Sequence, residues 1–167
     1  MSRTFAFPLS YTSPASVVHG AITDQRLWQS RIEGVDSAEL DFGTPDGPGT
    51  ASISMKETIK QERIPALVRK VLKGELTISR TDKWGAFDGD RATGTFSGGS
   101  TGLPASLNGT FALRDTAAGA VIDVAGEIEV KVRFVGGAIE ALVEQLFTKM
   151  LNSERKYVEK WITEQAA

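Results

Sequence analysis

Residues 122–151 read IDVAGEIEVKVRFVGGAIEALVEQLFTKML, and the change of period inside this stretch decides the fold. From Ile122 to Phe134 every second position is apolar or glycine: Ile122, Val124, Gly126, Ile128, Val130, Val132 and Phe134. Asp123, Glu127, Glu129, Lys131 and Arg133 occupy the other phase, as expected of a strand with one side on a core and the other in water. After Gly136-Gly137 the spacing becomes helical. Ile139, Leu142, Val143, Leu146, Phe147, Met150 and Leu151 form one stripe, resumed by Tyr157, Val158, Trp161 and Ile162. Glu140, Glu144, Lys149, Arg155, Lys156 and Glu159 form the complementary charged face. The spacing predicts a helix over 138–163, about 40 Å long, enough to cross a whole sheet.

Upstream, the same two periods organise the rest of the chain. Phe5, Phe7, Leu9 and Tyr11 alternate with Thr4, Ala6, Pro8 and Ser10, which predicts a first strand, with Pro8 marking an edge or a bulge. Ser13-Pro14 supplies an N-cap and first-turn proline for a short helix carrying Val17, Val18, Ala21 and Ile22. Thr23-Asp24 opens a second short helix with Leu27, Trp28 and Ile32 inward, ended by Gly34. Alternating runs follow at 38–42, 50–59, 76–84, 91–97 and 105–113, separated by turns such as Asp46-Gly47 and Asp88-Gly89. Ser97 to Gly102 reads as a flexible hairpin loop. It ends in neither Gly-Lys-Ser/Thr nor a helix, so it is not a phosphate cradle. The expectation is one α+β domain over 1–167.

Composition narrows the functional classes. The hydrophobic fraction of 41% and charged fraction of 24% are ordinary for a globular chain. A net charge of −2 argues against nucleic-acid binding through an overall basic field. With no cysteine, disulfides, thiolate metal sites and thiol catalysis are excluded, and a single histidine makes a His-centred triad improbable. No cofactor and no metal site are expected. The N-terminus lacks the layout of a signal peptide and no apolar run reaches bilayer length, so a cytoplasmic location is expected.

The reconstructed order is a strand, two short helices, six further strands and a long final helix entered through Gly-Gly. This order resembles the START-related, birch-pollen-allergen-like helix-grip superfamily that includes polyketide cyclases. Ile64-Pro65-Ala66-Leu67-Val68-Arg69-Lys70, Leu103-Pro104-Ala105-Ser106 and the run from Val130 to Glu140 look like an actinobacterial branch of uncharacterised function. The resemblance covers essentially the whole chain. It implies a helix-grip fold, a six-strand antiparallel meander after the two short helices, and an apolar ligand held between a curved sheet and the C-terminal helix.

In that arrangement Phe7, Leu9, Ile53, Met55, Trp84, Phe111, Leu146, Phe147 and Met150 are the candidate cavity walls, and each also fits an ordinary core position. Two charged residues share the apolar phase, Glu57 between Met55 and Ile59, and Arg80 after Ile78. If Ile59 pairs with Leu76, these become diagonal neighbours on one face, fit to anchor a ligand head group or to form a rim salt bridge.

The basic segment 60–73 reads as a short amphipathic helix. It suits a packed connector, a lid or a transient contact with an anionic membrane. The leading reading is a carrier of a small apolar molecule, lipid- or polyketide-like, which requires an internal void of several hundred Å3. A cyclase- or aromatase-type enzyme would draw on Glu57, Asp82, Tyr11 and His19, although no motif joins them. A protein-interaction module without a ligand is the third reading, and the chain is expected to be a monomer or a homodimer.

Overall fold

In the computed structural model, which describes residues 2–166, the alternation at the N-terminus becomes β1 (Ser2–Tyr11). It is an edge strand, so Pro8 needs no partner on its outer side. Two short helices follow, α1 (Ala15–Ile22) and α2 (Gln25–Ile32). Asp24 caps α2 through the Arg26 amide, whereas α1 has no side-chain cap from Ser13 or Pro14. Instead the Ala15 amide donates to Asp115 at 2.8 Å, which ties the helix to the sheet.

The remaining strands are β2 (Ala38–Gly43), β3 (Ala51–Ile59), β4 (Leu76–Trp84), β5 (Arg91–Thr101), β6 (Ala105–Thr116) and β7 (Gly119–Val130). They form one antiparallel sheet in the order β1-β7-β6-β5-β4-β3-β2, so the chain meanders from β2 to β7 and β7 closes against β1. Ile59 pairs with Leu76, which meets the condition under which Glu57 and Arg80 become diagonal neighbours. The stretch from Ser97 to Thr101 is paired strand rather than loop, and only 102–104 remain for the hairpin turn. The basic segment is not one amphipathic helix either. Pro65 divides it into a 3-10 turn at Gln61–Arg63 and a single helical turn, α3 (Ala66–Arg69), with Ile64 and Val68 buried.

The final helix, α4, runs Gly136–Ala166 and includes both glycines in its first turn. β7 ends at Val130, four residues before the alternation does. The Lys131 amide donates to Pro104 O and the Gly136 amide to Val132 O, so the backbone leaves the sheet there. Val132 and Phe134 therefore do not continue the inner face. Phe134 adopts φ 69°, the one positive-φ non-glycine among the described residues, and is fully exposed. Such a backbone costs of order 1–3 kcal/mol for a bulky side chain.

What sits between sheet and helix follows from three glycines in mid-strand. Phe5, Gly126, Gly109 and Phe96 face one another across β1, β7, β6 and β5. A Cβ on Gly126 would come within 2.9 Å of both Phe5 and Phe96, and one on Gly109 would collide with Phe96. Gly94 similarly leaves room for the face of Trp84. The rings thus lie down on a glycine floor instead of standing off the sheet. Phe147 of α4 completes the layer, 5.7 Å from Phe5 and 5.2 Å from Phe96 between centroids. Phe111 continues it, 4.9 Å from Phe96 and stacked on Trp84 at 5.2 Å. Each such pair adds about 0.5–1.5 kcal/mol beyond its buried area.

Replacing Gly109 with alanine is expected to lower the unfolding free energy by about 1–3 kcal/mol through overpacking. Gly20, exposed on α1 with nothing within 4 Å of the place a methyl would occupy, should instead gain about 0.5–1 kcal/mol on the same change. Urea unfolding of the two variants checks the contrast.

Candidate functional site

Two places in the structure bring polar groups together: the layer under α4, and the end of the sheet where β7 gives way to the helix. In the first, Arg80 and Asp82 both project from the inner face of β4 because they are two residues apart. Arg80 donates to both oxygens of Asp82, Nε at 3.0 Å and Nη2 at 2.9 Å, and Nη2 also donates to Glu154 of α4 at 2.8 Å. Its guanidinium lies 6.0 Å from the centroid of Phe147, and Nη1 reaches Met150 Sδ at 3.8 Å. Arg31 of α2 approaches the other oxygen of Glu154 at 4.0 Å. Two cations and two carboxylates balance, and no buried side-chain N or O among the described residues lacks a partner.

Burial shapes the protonation of this group. It pushes the Asp82 carboxyl up to about 6 against the opposing pull of Arg80, and nearby Glu154 pushes the same way. Desolvation works against the charge on Arg80, but Asp82 and Glu154 outweigh it and raise its pKa. Tyr11 is also raised, by burial first and Glu154 second, so its hydroxyl stays protonated.

Glu57 and Arg80 are diagonal neighbours on one face, as the Ile59–Leu76 register requires, but their side chains do not pair. Arg80, opposite Met55, is taken by Asp82 on its own strand and by Glu154 of α4, while Glu57, opposite Ile78, accepts from Arg63 at 3.0 Å on the rim. Leu146, expected in the wall, is 48% exposed because the helix contact is narrower than its apolar stripe. Leu9, Ile53, Trp84, Phe111 and Phe147 are buried, whereas Phe7, Met55 and Met150 are half-buried against that core. His19 is buried and its Nε2 hydrogen-bonds to Gly85 O at 2.9 Å, remote from the carboxylates in its contacts.

Glu154 was not singled out by residue type, although its spacing from Phe147, Leu151 and Val158 places it on the buried stripe. Glu140, read as solvent-facing, is buried and accepts the Val130 amide at 3.0 Å, closing the end of β7.

Tyr11, Trp28, Asp82, Trp84, Phe111 and Glu154 border a cavity of about 30 Å3, room for a water or two. The larger concavity, about 840 Å3, is an open cleft at the end of the sheet. Val71, Leu72, Leu103 and Val132 line it together with Lys70, Lys73, Lys131 and Arg133. Its three segments are tied by backbone bonds, Lys73 N to Gly102 O at 2.8 Å and Lys131 N to Pro104 O at 3.0 Å. Among the described residues, Lys131 alone of the four cations has a carboxylate within 4 Å, Glu129 at 3.5 Å. Likewise no group of three or more metal-ligating side chains is assembled, and no helix is long and apolar enough to cross a membrane.

Residues 7–162 match the family described as a protein of unknown function, DUF2505. The chain belongs to that family. An uncharacterised protein of Mycobacterium tuberculosis strain H37Rv is 26% identical over 98% of both chains. Among solved structures, norcoclaurine synthase from Thalictrum flavum aligns with a TM-score of 0.59 at 16% identity, over 98% of this chain and 88% of that one. That synthase has also been solved with dopamine and hydroxybenzaldehyde. The di-domain ARO/CYC protein StfQ of the steffimycin biosynthetic pathway aligns at 0.57 and 14%, over 99% of this chain and 52% of its own. The fold is the helix-grip fold that these solved structures share.

Arg80→Met should cost about 3–5 kcal/mol, because it strands two buried carboxylates. Replacing Arg80, Asp82 and Glu154 together by methionine and leucines should restore most of that loss. Thermal or urea unfolding of the single and triple variants distinguishes the two outcomes.

Proposed function

We propose that the chain binds a small amphipathic molecule, an apolar body carrying an anionic head, in the cleft at the end of the sheet. The observation that carries this reading is the cleft itself: about 840 Å3, apolar at Val71, Leu72, Leu103 and Val132, with four cations around them. An apolar surface with a few convergent charges is the usual composition of a small-molecule site. Burial of the body supplies affinity at about 25 cal/mol per Å2, and the lysines and arginine orient the head.

A carrier of the kind expected from the fold needs several hundred Å3 between sheet and helix, and the cavity bordered by Tyr11, Asp82 and Glu154 offers about 30 Å3. The norcoclaurine synthase and the aromatase/cyclase-type protein share the fold and support small-molecule binding as its general use. This reading puts the ligand at the open end of the sheet, outside the aromatic layer.

A second reading, cyclase-type chemistry, draws on one specific observation. Asp82, raised to about 6, borders the same small cavity as Tyr11 and Glu154. That pairing of an ionisable acid with a protonated phenol suits proton transfer. A substrate would first have to displace Trp84 or Phe111.

Anilinonaphthalene sulfonate, an anionic aromatic probe, separates the two. It should brighten on binding and be displaced by dodecanoate. The Lys70→Glu/Lys131→Glu variant should weaken both affinities roughly tenfold, and Asp82→Asn should leave them unchanged. Loss in Asp82→Asn or Tyr11→Phe, with the charge-reversed variant unaffected, would move the site to the interior.

A further inference from the structure

Phe134 is the largest apolar side chain left entirely in solvent. Its backbone is neither frayed nor free. The Lys131 amide is bonded to Pro104, Val135 to Arg133 and Gly136 to Val132, so the ring is held outward by a fixed left-handed turn. A bulky residue in that conformation is a poor choice for stability alone, since glycine would fill the turn without the Cβ penalty.

Charge gathers at the same end. Segments 60–75 and 131–135 hold seven cations (Lys60, Arg63, Arg69, Lys70, Lys73, Lys131, Arg133) and two carboxylates (Glu62, Glu75); with Glu57 and Glu129, which pair into them, the local charge is +3 in a chain of net −2. Arg63 is paired with Glu57 and Lys131 with Glu129, and the other five have no carboxylate within 4 Å among the described residues. Both segments contribute to the cleft, through Lys70 and Lys73 from one side and Lys131 and Arg133 from the other.

From this juxtaposition, a solvent-held Phe134 beside cations that converge on one end of an otherwise acidic molecule, we infer that this end docks on an anionic lipid bilayer. Phe134 enters the boundary between head groups and acyl chains. Lys70, Lys73 and Arg133 meet the lipid phosphates, and the cleft opens toward the membrane surface. A ring that costs stability in water is repaid only where an apolar phase covers it, and cations alone would not require one. An anionic surface supplies both the charge and the apolar layer. The inference stands on Phe134 and the charge distribution, and does not depend on a small molecule occupying the cleft.

Flotation of the full chain with vesicles tests it, using equal parts phosphatidylcholine and phosphatidylglycerol against phosphatidylcholine alone. The chain should float with the mixed vesicles, stay in solution with the neutral ones, and be released by salt. Phe134→Gly should lower partitioning about tenfold or more while leaving the melting temperature unchanged or higher, which separates lost docking from lost folding. Arg133→Gln should lower it about fivefold. The inference is overturned if the wild-type chain does not float with the mixed vesicles, or if Phe134→Gly floats as well as wild type. Binding to soluble polyglutamate that matches the vesicle affinity and ignores Phe134 would also overturn it, in favour of an acidic protein partner.

Discussion

Phe96 lies on Gly109 and Gly126, and the layer between sheet and helix is arranged around that contact. Because two adjacent strands present no side chain there, Phe5 and Phe96 can approach each other over the gap, with centroids 6.3 Å apart. Phe147 descends onto both, which fixes where α4 crosses β1, β7 and β5. The ring system then runs on through Phe111 to Trp84 without a break. A sheet and helix that could have enclosed a void enclose rings instead. Protein interiors packed in this way resist opening, since every displaced ring forfeits its contacts before a ligand replaces them.

The charged groups divide into two populations with opposite roles. Arg80, Asp82 and Glu154 are withdrawn from water and satisfied by one another, and they join β4 to α4 at one azimuth of the helix. Buried ion networks contribute little net stability but punish any arrangement that leaves one member unpaired, so they select the helix position more than they strengthen it. At the helix ends, Arg3–Glu144 and the Thr12–Glu159 bonds hold α4 against both ends of β1. Lys70, Lys73 and Arg133, by contrast, have no carboxylate within 4 Å among the described residues and lie beside apolar surface. The proposed recognition at the end of the sheet rests on this contrast between a charge-balanced interior and an open, cationic cleft.

Much of this was legible in the sequence. The switch from period 2 to period 3.6 at Gly136-Gly137 located the final helix, and the Ile59–Leu76 pairing, a condition when the sequence is read alone, is met in the sheet. What escaped was whatever depends on contacts between elements. Alternation continues to Phe134, but the Lys131 amide is claimed by Pro104, and no local pattern encodes that capture. Glu140 looked solvent-facing by residue type, although it serves the unpaired amide of Val130. Glu154 was findable, since helical spacing from Phe147 and Leu151 puts it on the buried stripe. Gly94, Gly109 and Gly126 in mid-strand are each set across from an aromatic ring, a pairing that residue type does not reveal. The candidate walls were largely placed on the inner face, yet apolar phase reports burial and carries no information on whether a void is present.

The central claim is that the aromatic layer excludes ligand and the end cleft admits it. Backbone and indole N–H chemical shifts during titration with dodecanoate test this directly. The account predicts shifts at residues 70–73, 100–104 and 131–133, with the indole signals of Trp28 and Trp84 unmoved. Shifts concentrated at those two indoles and around Phe111, with the cleft residues silent, would contradict it.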